Sequence, residues 1–484
     1  MSLVIEQKPQ YRLIPAASNI IYTLYDAVTI NPTNNKFKIK YKATVYVSNQ
    51  TASIISSSNK VGVFKVTPNG EGYGIFDLSP VLQNYVTPEY TGGTVHNSNT
   101  TNNSQYNGVD YTENTPHTIH QIDDFSTNRN CVRFVAVRFN IEAADSATGN
   151  VTEQYNSNTI ADTVLIYNGV LYDTDILNLS SSSGNVGYHL DQAGFVMNSN
   201  TDKFLTNAPT TQYIRENDYL TLSYFSGYDW DFVVGATSTG YPSVKYVKIQ
   251  FYYNGSATGS LITKNIQGST GGQSGYMNDS NTKLQFAGVG TGNLLGAGET
   301  IPGNWDYYTV IAYDSGNNQI SDTYKFYKQS EDCKEYETIR LTWLNKFGVW
   351  DYYNFTKKSV RTFNTQRKSY TQITGTWNTS RFRPDGHTGG KKYFGSNTKE
   401  SIVLNTDYIT EDEAIWLEEL FISSDVYILE QRSTDNAQEG YMRKYIKPTT
   451  IIDTKHTRKT KANDRLIQYT FKIEVDKTKK SQLM

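Results

Sequence analysis

The sequence contains little cysteine and no long apolar run. Its two cysteines, Cys131 and Cys333, lie far apart among 484 residues and do not form a metal-type spacing. No stretch approaches the ~20 apolar residues that a membrane helix needs. The first fifteen residues lack a basic region followed by an apolar core, so we expect no secretory signal. We therefore expect neither a disulfide framework nor a membrane span, and we predict that Cys131 is a buried thiol beside a strand.

Net charge is also small. The chain has 45 Lys or Arg against 47 Asp or Glu, so its formal charge of −2 favours neither nucleic acid nor a membrane surface as a partner. Charge is nevertheless uneven, because the segment after Arg443 is basic. That basic segment is either a solvated strand pair and loop or a contact with an acidic partner or nucleic acid. Five of its cations lie close together in the sequence, Lys455, Arg458, Lys459, Lys461 and Arg465.

Tyrosine and glycine, by contrast, are abundant. The chain has 38 Tyr and 35 Gly, while hydrophobic residues make up 37%, below the usual ~45–50%. Tyrosine suits pleated, half-wet surfaces and interfaces, where one end of the ring is buried and the other forms hydrogen bonds. This composition indicates a β-rich protein with thin cores.

Alternating apolar residues and turn signals predict the fold class. Residues 37–47 alternate as a half-buried strand does, and residues 244–253 end before Asn254-Gly255, a hairpin signal. We predict a mainly β chain with tandem β-sandwich domains and a smaller α+β C-terminal domain. The expected parts are an extended N-terminal arm at 1–17, a first sandwich at 18–178 with a polar insertion at 91–126, a second sandwich at 204–330, and the α+β domain at 331–484.

The C-terminal domain opens with an aromatic hairpin at residues 338–355. Ile339, Leu341 and Trp343 alternate with polar residues, Gly348 supplies the turn, and a second aromatic run follows. The pattern predicts a strand with one buried face and the densest apolar unit of the chain.

The same domain contains one strong helix signal. Thr410 and Glu413 form a capping-box pattern ahead of an apolar face. That face holds Ala414, Trp416, Leu417, Leu420 and Phe421, and the opposite face holds Glu411, Asp412, Glu418 and Glu419.

Two stretches resemble a known family. In the hairpin, Asp351 lies between Trp350 and Tyr352. Near the N-terminus, residues 72–79 read GYGIFDLS and precede a short helix that ends at Tyr85-Val86. Both resemble segments of structural proteins of tailed bacteriophages, particularly phages of Bacteroidetes and marine hosts. The resemblance implies a virion location and a β-sandwich, and it carries over no catalytic residue.

Three sites in the sequence contain residues that could bind a ligand or take part in catalysis. His117 and His120 precede Asp123 and Asp124, which indicates either a metal site or, more simply, an exposed polar loop. Gly288, Gly290 and Gly292 resemble a phosphate loop superficially but lack its lysine and an evident helix start, so a flexible glycine loop is expected. His387 is expected to be a loop histidine. The sequence supports no catalytic residue, metal ligand or cofactor.

Residues 227–232 place carboxylates beside aromatic rings. Tyr228 and Trp230 are candidate glycan contacts, and Asp229 and Asp231 share one face of a strand, as a glycosidase pair could. A turn followed by core residues is the simpler interpretation. These residues support two alternative hypotheses. The chain is either a receptor- or carbohydrate-binding tail protein or a polysaccharide depolymerase.

The favoured expectation is a non-enzymatic structural component of a tailed phage virion, made in the host cytoplasm and placed in the tail, baseplate or fibre attachment. Its expected partners are other phage structural proteins and further copies of itself, with a host surface glycan as an alternative. The candidate contact segments are residues 1–17, the insertion 91–126 and the basic C-terminal segment.

Overall fold

The computed structural model is mainly β, as predicted, with several separate sheets. It contains short helices and one helix of three turns. Among the residues it describes, no helix is long and apolar enough to cross a membrane. The structure describes residues 3–9, 13–51, 53–90, 117–122, 124, 130–154, 160–170, 176–180, 187–190, 197, 199–225, 244–265, 280, 283–329, 336–377, 379–432, 446–453 and 467–480.

The described residues between 3 and 190 include two sheets that pack as a β-sandwich. Its elements are β1 (Leu3–Gln7), β2 (Leu13–Pro15), β3 (Ile21–Asp26), α1 (Ala27–Ile30), β4 (Phe37–Ser48), β5 (Lys60–Val66), β6 (Gly74–Asp77), α2 (Ser79–Leu82), β7 (Val132–Ala144), β8 (Thr152–Glu153), β9 (Ala161–Tyr167), β10 (Ile176–Ser180) and β11 (Gly187–Leu190). One sheet has the order β2-β9-β7-β4-β5 with β8 beside β7, and the other has the order β1-β3-β6. Strands β10 and β11 pair with each other.

The core of the sandwich lies between its two sheets. Alternate residues of β4, Tyr41, Ala43 and Val45, pack with Tyr22 of β3 and Phe139 of β7. The hydroxyl of Tyr41 donates to the carbonyl oxygen of Gly72 at 2.7 Å, so this buried ring also fixes a turn. Burial raises the pKa of Tyr41 to about 12. Cys131, before β7, is a buried thiol, as expected, and burial raises its pKa.

The N-terminal arm is part of the fold. The extended arm expected at residues 1–17 includes two strands among its described residues. Strand β1 pairs antiparallel with β3, and β2 pairs parallel with β9, including a Pro15–Tyr167 pair. Proline is tolerated here because β2 lies at the edge of its sheet and Pro15 is its last residue.

Residues 211–328 form a second set of sheets. The elements are β12 (Thr211–Ile214), β13 (Thr221–Phe225), β14 (Tyr246–Tyr253), β15 (Ser256–Asn265), β16 (Leu284–Gly288), α3 (Thr291–Gly296), β17 (Tyr307–Tyr313) and β18 (Tyr324–Lys328). Their five-stranded sheet has the order β12-β18-β17-β14-β15, and β13 pairs with β16. Phe251, Trp305 and Tyr308 pack edge-on or tilted as one aromatic group in its core. The predicted hairpin at Asn254-Gly255 joins β14 to β15, with both turn residues at positive φ.

The C-terminal region is α+β, as predicted. Its elements are β19 (Ile339–Leu344), β20 (Trp350–Phe355), β21 (Val360–Gln372), β22 (Gly390–Asn405), α4 (Glu411–Ile422), β23 (Val426–Leu429), β24 (Ile446–Ile451) and β25 (Thr470–Lys480). They form a seven-stranded sheet in the order β20-β19-β23-β24-β25-β22-β21.

The aromatic hairpin exists but is buried on both faces. All six residues of β19 are buried, so the expectation of one wet face was wrong. Arg340 is tolerated there because its guanidinium lies 5.1 Å from the ring of Tyr352 and its Nη1 donates to Asn354 Oδ1 at 2.8 Å. On the other face, Trp343 lies 5.2 Å from Trp416 of α4.

The capping box of α4 is confirmed. Thr410 Oγ1 accepts from the amide of Glu413, and the Glu413 carboxylate accepts from the amide of Thr410. Trp416, Leu417 and Leu420 are buried, as expected. Glu419 was expected on the wet face but is also buried.

The chain divides into two compact units. Unit 1 comprises residues 1–329, 344–351 and 431–442, and unit 2 comprises 330–343, 352–430 and 443–484. The predicted C-terminal domain therefore corresponds largely to unit 2. The division of residues 18–330 into two sandwich domains stays a prediction.

Candidate interaction surface

Within the described part of unit 2, a two-stranded ribbon is exposed along most of its length. Strands β21 and β22 pair antiparallel from Val360–Val403 to Gln372–Gly390, whereas β25 pairs with β22 only from Asn397 to Asn405. Residues 367–396, which we call the ribbon, therefore extend beyond the end of β25. Its six paired positions span about 20 Å at ~3.4 Å per residue.

The loop at the end of the ribbon is held by its own hydrogen bonds. The amide of Thr376 donates to the carbonyl oxygen of Arg383 at 3.1 Å, and the amide of Arg383 donates to Thr376 Oγ1 at 2.9 Å. Thr388 Oγ1 accepts from the amide of Gly375 at 2.8 Å. Gly375 has φ +78°, and a Cβ there would lie 2.4 Å from the ring of Phe382, so glycine is required. The loop is therefore a fixed platform.

This platform exposes large apolar side chains. Trp377 is 72% exposed, Ile373 66% and Phe382 58%. The Trp377 ring is held in place, because its Nε1 donates to the carbonyl oxygen of Thr374 at 2.8 Å and Phe382 lies 5.7 Å away. Exposed and oriented tryptophan is typical of interaction surfaces.

Both faces of the ribbon combine aromatic rings with cations. On one face, Tyr370 packs against Phe394 with centroids 6.3 Å apart. On the other, the Arg367 guanidinium lies 5.6 Å from the ring of Tyr393. The ribbon contains six Lys or Arg and one Asp, a net charge of +5, in a chain whose total is −2, so the remainder carries −7. Its cations are Arg367, Lys368, Arg381, Arg383, Lys391 and Lys392.

The cation at the base of the ribbon is already paired. Arg361 binds the carboxylates of Glu337 and Glu400, and the Glu337 hydrogen bonds raise the pKa of the guanidinium. These two carboxylates therefore neutralise Arg361 next to the sheet, whereas the net positive charge of the ribbon lies farther from the sheet.

Helix α4 carries a second exposed surface in the same unit. Glu411, Ile415, Glu418 and Ile422 recur at spacings of four, three and four residues, so they share one face, which we call the outward stripe. Ile415 is 48% exposed and Ile422 65%, and Tyr408 is exposed just before the helix. Acidic and aliphatic side chains thus alternate along the stripe.

The two histidines weighed as metal ligands are buried, so the exposed-loop expectation was wrong. His117 lies 5.1 Å from the ring of Trp350, and its Nδ1 accepts from the amide of Ile119. His120 packs edge-on against Tyr219 at 4.4 Å. Burial lowers the pKa of both imidazoles to about 3, with a further lowering of His117 by His120. Asp123 lies outside the described residues, within which no three potential ligands are grouped for a metal.

The glycine-rich segment is also packed rather than flexible. It joins β16 to the short helix α3, a helix start that the sequence did not predict. A Cβ on Gly288 would lie 2.0 Å from the carbonyl oxygen of Gln121, and one on Gly290 would lie 2.4 Å from the amide nitrogen of Leu220. The amides of Val289 and Gly290 both donate to the carbonyl oxygen of Leu220 at 2.9 Å. Those donors are occupied by protein, so the glycines serve close packing of chain segments.

The structure does not describe the other predicted site residues. Tyr228, Trp230, Asp229 and Asp231 lie outside the described residues, as do the basic residues 455–465 and most of the insertion 91–126. His387 is exposed in the loop of the ribbon, as expected. The sequence analysis missed the ribbon itself. Its signal was the run of cations and aromatic residues between 367 and 394, on strands whose alternation has no apolar face.

Comparison with known proteins adds little. No protein-family model matches the chain, and no curated protein matches it. Among solved structures, the native α2-macroglobulin of Escherichia coli is similar over 84% of this chain and 22% of its own, at 9% identity and a TM-score of 0.18. Salmonella α2-macroglobulin reacted with methylamine is similar over 97% and 22%, at 7% identity and a TM-score of 0.18. The chain spans about a fifth of those proteins, and likeness at this TM-score carries no functional inference.

Proposed function

We propose that this chain is a non-enzymatic structural component of a tailed phage virion, assembling through its β domains in the tail, baseplate or fibre attachment. The observation that supports assembly is the ribbon, which presents ordered Trp377 and Phe382 to solvent at its end. Exposed apolar side chains on a fixed platform are stabilised when a partner covers them. The virion location rests on the resemblance of residues 72–79 and of the aromatic hairpin.

Mass spectrometry and labelling of purified phage particles test the location. The protein is expected at a fixed copy number per particle and is expected to remain after salt washing. Its absence from particles of a phage that encodes it would refute the proposal.

A receptor- or carbohydrate-binding tail protein is the second candidate. Trp377 favours it, because an exposed indole face is a common platform for a sugar ring. A glycan array comparing native protein with Trp377→Ala and Trp230→Ala tests two contacts. Trp377 is the exposed residue in the ribbon, and Trp230 is the contact predicted from the sequence. Binding that either substitution abolishes supports this candidate, and no binding by native protein removes it.

A further inference from the structure

We infer that the ribbon of one copy of this chain docks on the outward stripe of α4 in a second copy. The inference rests on the proposed assembly function and names the two surfaces that meet. Both surfaces belong to unit 2.

Charge is complementary between the two surfaces. The ribbon carries +5, while the stripe contains the partly buried Glu411 and Glu418, with Asp412 exposed beside them. Opposite potentials steer encounter and fix the register of an interface. The remainder of the chain carries −7, so a copy of this chain is a suitable acidic partner for the ribbon.

Apolar groups and dimensions also match. Ile415 and Ile422 on the stripe match Trp377 and Ile373 at the end of the ribbon, because all four side chains are apolar and exposed. The stripe spans the twelve residues from Glu411 to Ile422, and their eleven rises of ~1.5 Å give a length of about 17 Å. The paired part of the ribbon is about 20 Å long. A continuous contact along both surfaces is therefore geometrically feasible.

The contact must join two copies. Within one chain both surfaces remain exposed, as the values for Trp377 and Ile415 show. The surfaces differ, so each copy uses its ribbon toward one neighbour and its stripe toward another. Such a head-to-tail contact generates rings when the rotation closes and filaments when it does not.

A nucleic acid is the competing partner for a basic, aromatic ribbon. The protein interpretation is favoured because it accounts for the alternation of Glu and Ile along α4, which a nucleic acid partner leaves unexplained. It also accounts for Ile373, an aliphatic side chain that offers a base no stacking surface.

Two variants separate the surfaces. The ribbon variant is Trp377→Ala with Arg383→Ala. The stripe variant is Ile415→Ala, Glu418→Ala and Ile422→Ala, in which alanine preserves helix propensity. Leu261→Ala, an exposed position on β15, is the matched control. Circular dichroism melts must show that each variant retains the native transition before it is used.

Light scattering on the full chain gives the expected pattern. Native protein and Leu261→Ala assemble, and each surface variant alone has the mass of a single chain. An equimolar mixture of the two variants forms a pair of twice that mass and grows no further, because each variant retains one functional surface. This capped pair is expected only when two different surfaces meet.

Other outcomes overturn the inference. A mixture that stays at the single-chain mass, or a stripe variant that still assembles, refutes the pairing of ribbon with α4. A monomeric native chain that is nevertheless found in virions refutes the pairing and leaves the proposed function intact, whereas absence from virions refutes that function. Gel shifts with single-stranded and duplex DNA complete the test, since binding lost in the ribbon variant and retained in the stripe variant identifies a nucleic acid partner instead.

Discussion

The side-chain amide of Asn293 binds the main chain of Gln121, which lies 172 residues earlier, through an Nδ2 donor 2.8 Å from the carbonyl oxygen. The same amide donates to Ile119 at 2.9 Å and accepts from the amide of Leu220 at 2.8 Å. One fully buried side chain therefore joins three segments of unit 1, among them the one that carries both buried histidines.

Replacing Asn293 should destabilise unit 1 strongly. Asn293→Leu removes the two donors and the acceptor of the side-chain amide. The carbonyl groups of Ile119 and Gln121 and the amide of Leu220 then lose this partner, and each unsatisfied group costs ~1–3 kcal/mol. We expect a loss of several kcal/mol in the free energy of unfolding, measured by urea denaturation. The control is Asn397→Ala, at an exposed position in β22. Equal stability of the two variants would contradict the role of this amide.

The glycines between β16 and α3 should not tolerate a methyl group. Gly290→Ala places a Cβ 2.4 Å from the amide nitrogen of Leu220, so main chain must move. Overpacking of this kind costs ~1–3 kcal/mol or more. Gly303→Ala is the matched control, because a Cβ there meets nothing within 4 Å. Thermal melts of both variants decide between a packed and a flexible segment, and an unchanged melting temperature for Gly290→Ala would favour the latter.

Stability should fall with acidification because of the buried histidines. The folded-state pKa of His117 and His120 is about 3, against an ordinary value of 6.5, so the unfolded chain binds more protons between these values. The free energy of unfolding is therefore highest above pH 6.5 and declines toward pH 3. The two groups contribute a slope of up to about 2.7 kcal/mol per pH unit.

Urea denaturation from pH 7 to pH 4.5 measures this slope. His120→Leu should reduce the histidine contribution by about half, since one of two titrating groups is removed. Within the described residues His120 Nδ1 has no hydrogen-bond partner, so leucine sacrifices no bond at that atom. His387→Leu, at an exposed loop position, is the control. A slope that His120→Leu leaves unchanged would rule out this linkage.

The capping box of α4 should stabilise unit 2 through two coupled bonds. Thr410→Ala removes the acceptor for the amide of Glu413 and should cost about 1 kcal/mol. Glu413→Ala removes the reciprocal bond to the amide of Thr410. In a double-mutant cycle the two losses should be less than additive, because each substitution disrupts the same cap. Strict additivity would show that the two side chains act independently.

Local patterns in the sequence predicted local structure well. The capping box, the Asn254-Gly255 turn and the existence of the aromatic hairpin were predicted correctly, since each depends on residues close together in the sequence. Errors arose where distant segments meet. The burial of His117 and His120 depends on Trp350 and Tyr219, and the packing of Gly288 depends on Gln121. No periodicity in the residues beside them encodes those contacts.

The ribbon was missed for a different reason. Periodicity identifies strands by their apolar face, but residues 361–371 are exposed on both faces and carry no such contrast. What holds them as a strand is the register with β22, and that register becomes visible only in three dimensions. The charge of this segment could be counted from the sequence, whereas its projection beyond the sheet could not be predicted from it.

The pairing of β2 with β9 has a consequence for synthesis on the ribosome. Leu13 meets Leu165 and Pro15 meets Tyr167, so β2 meets its partner strand only after some 150 further residues have been synthesised. Closing so large a loop is slow, and β2 has no neighbour in this sheet until β9 is made. This sheet is therefore complete only after β9 has emerged from the ribosome.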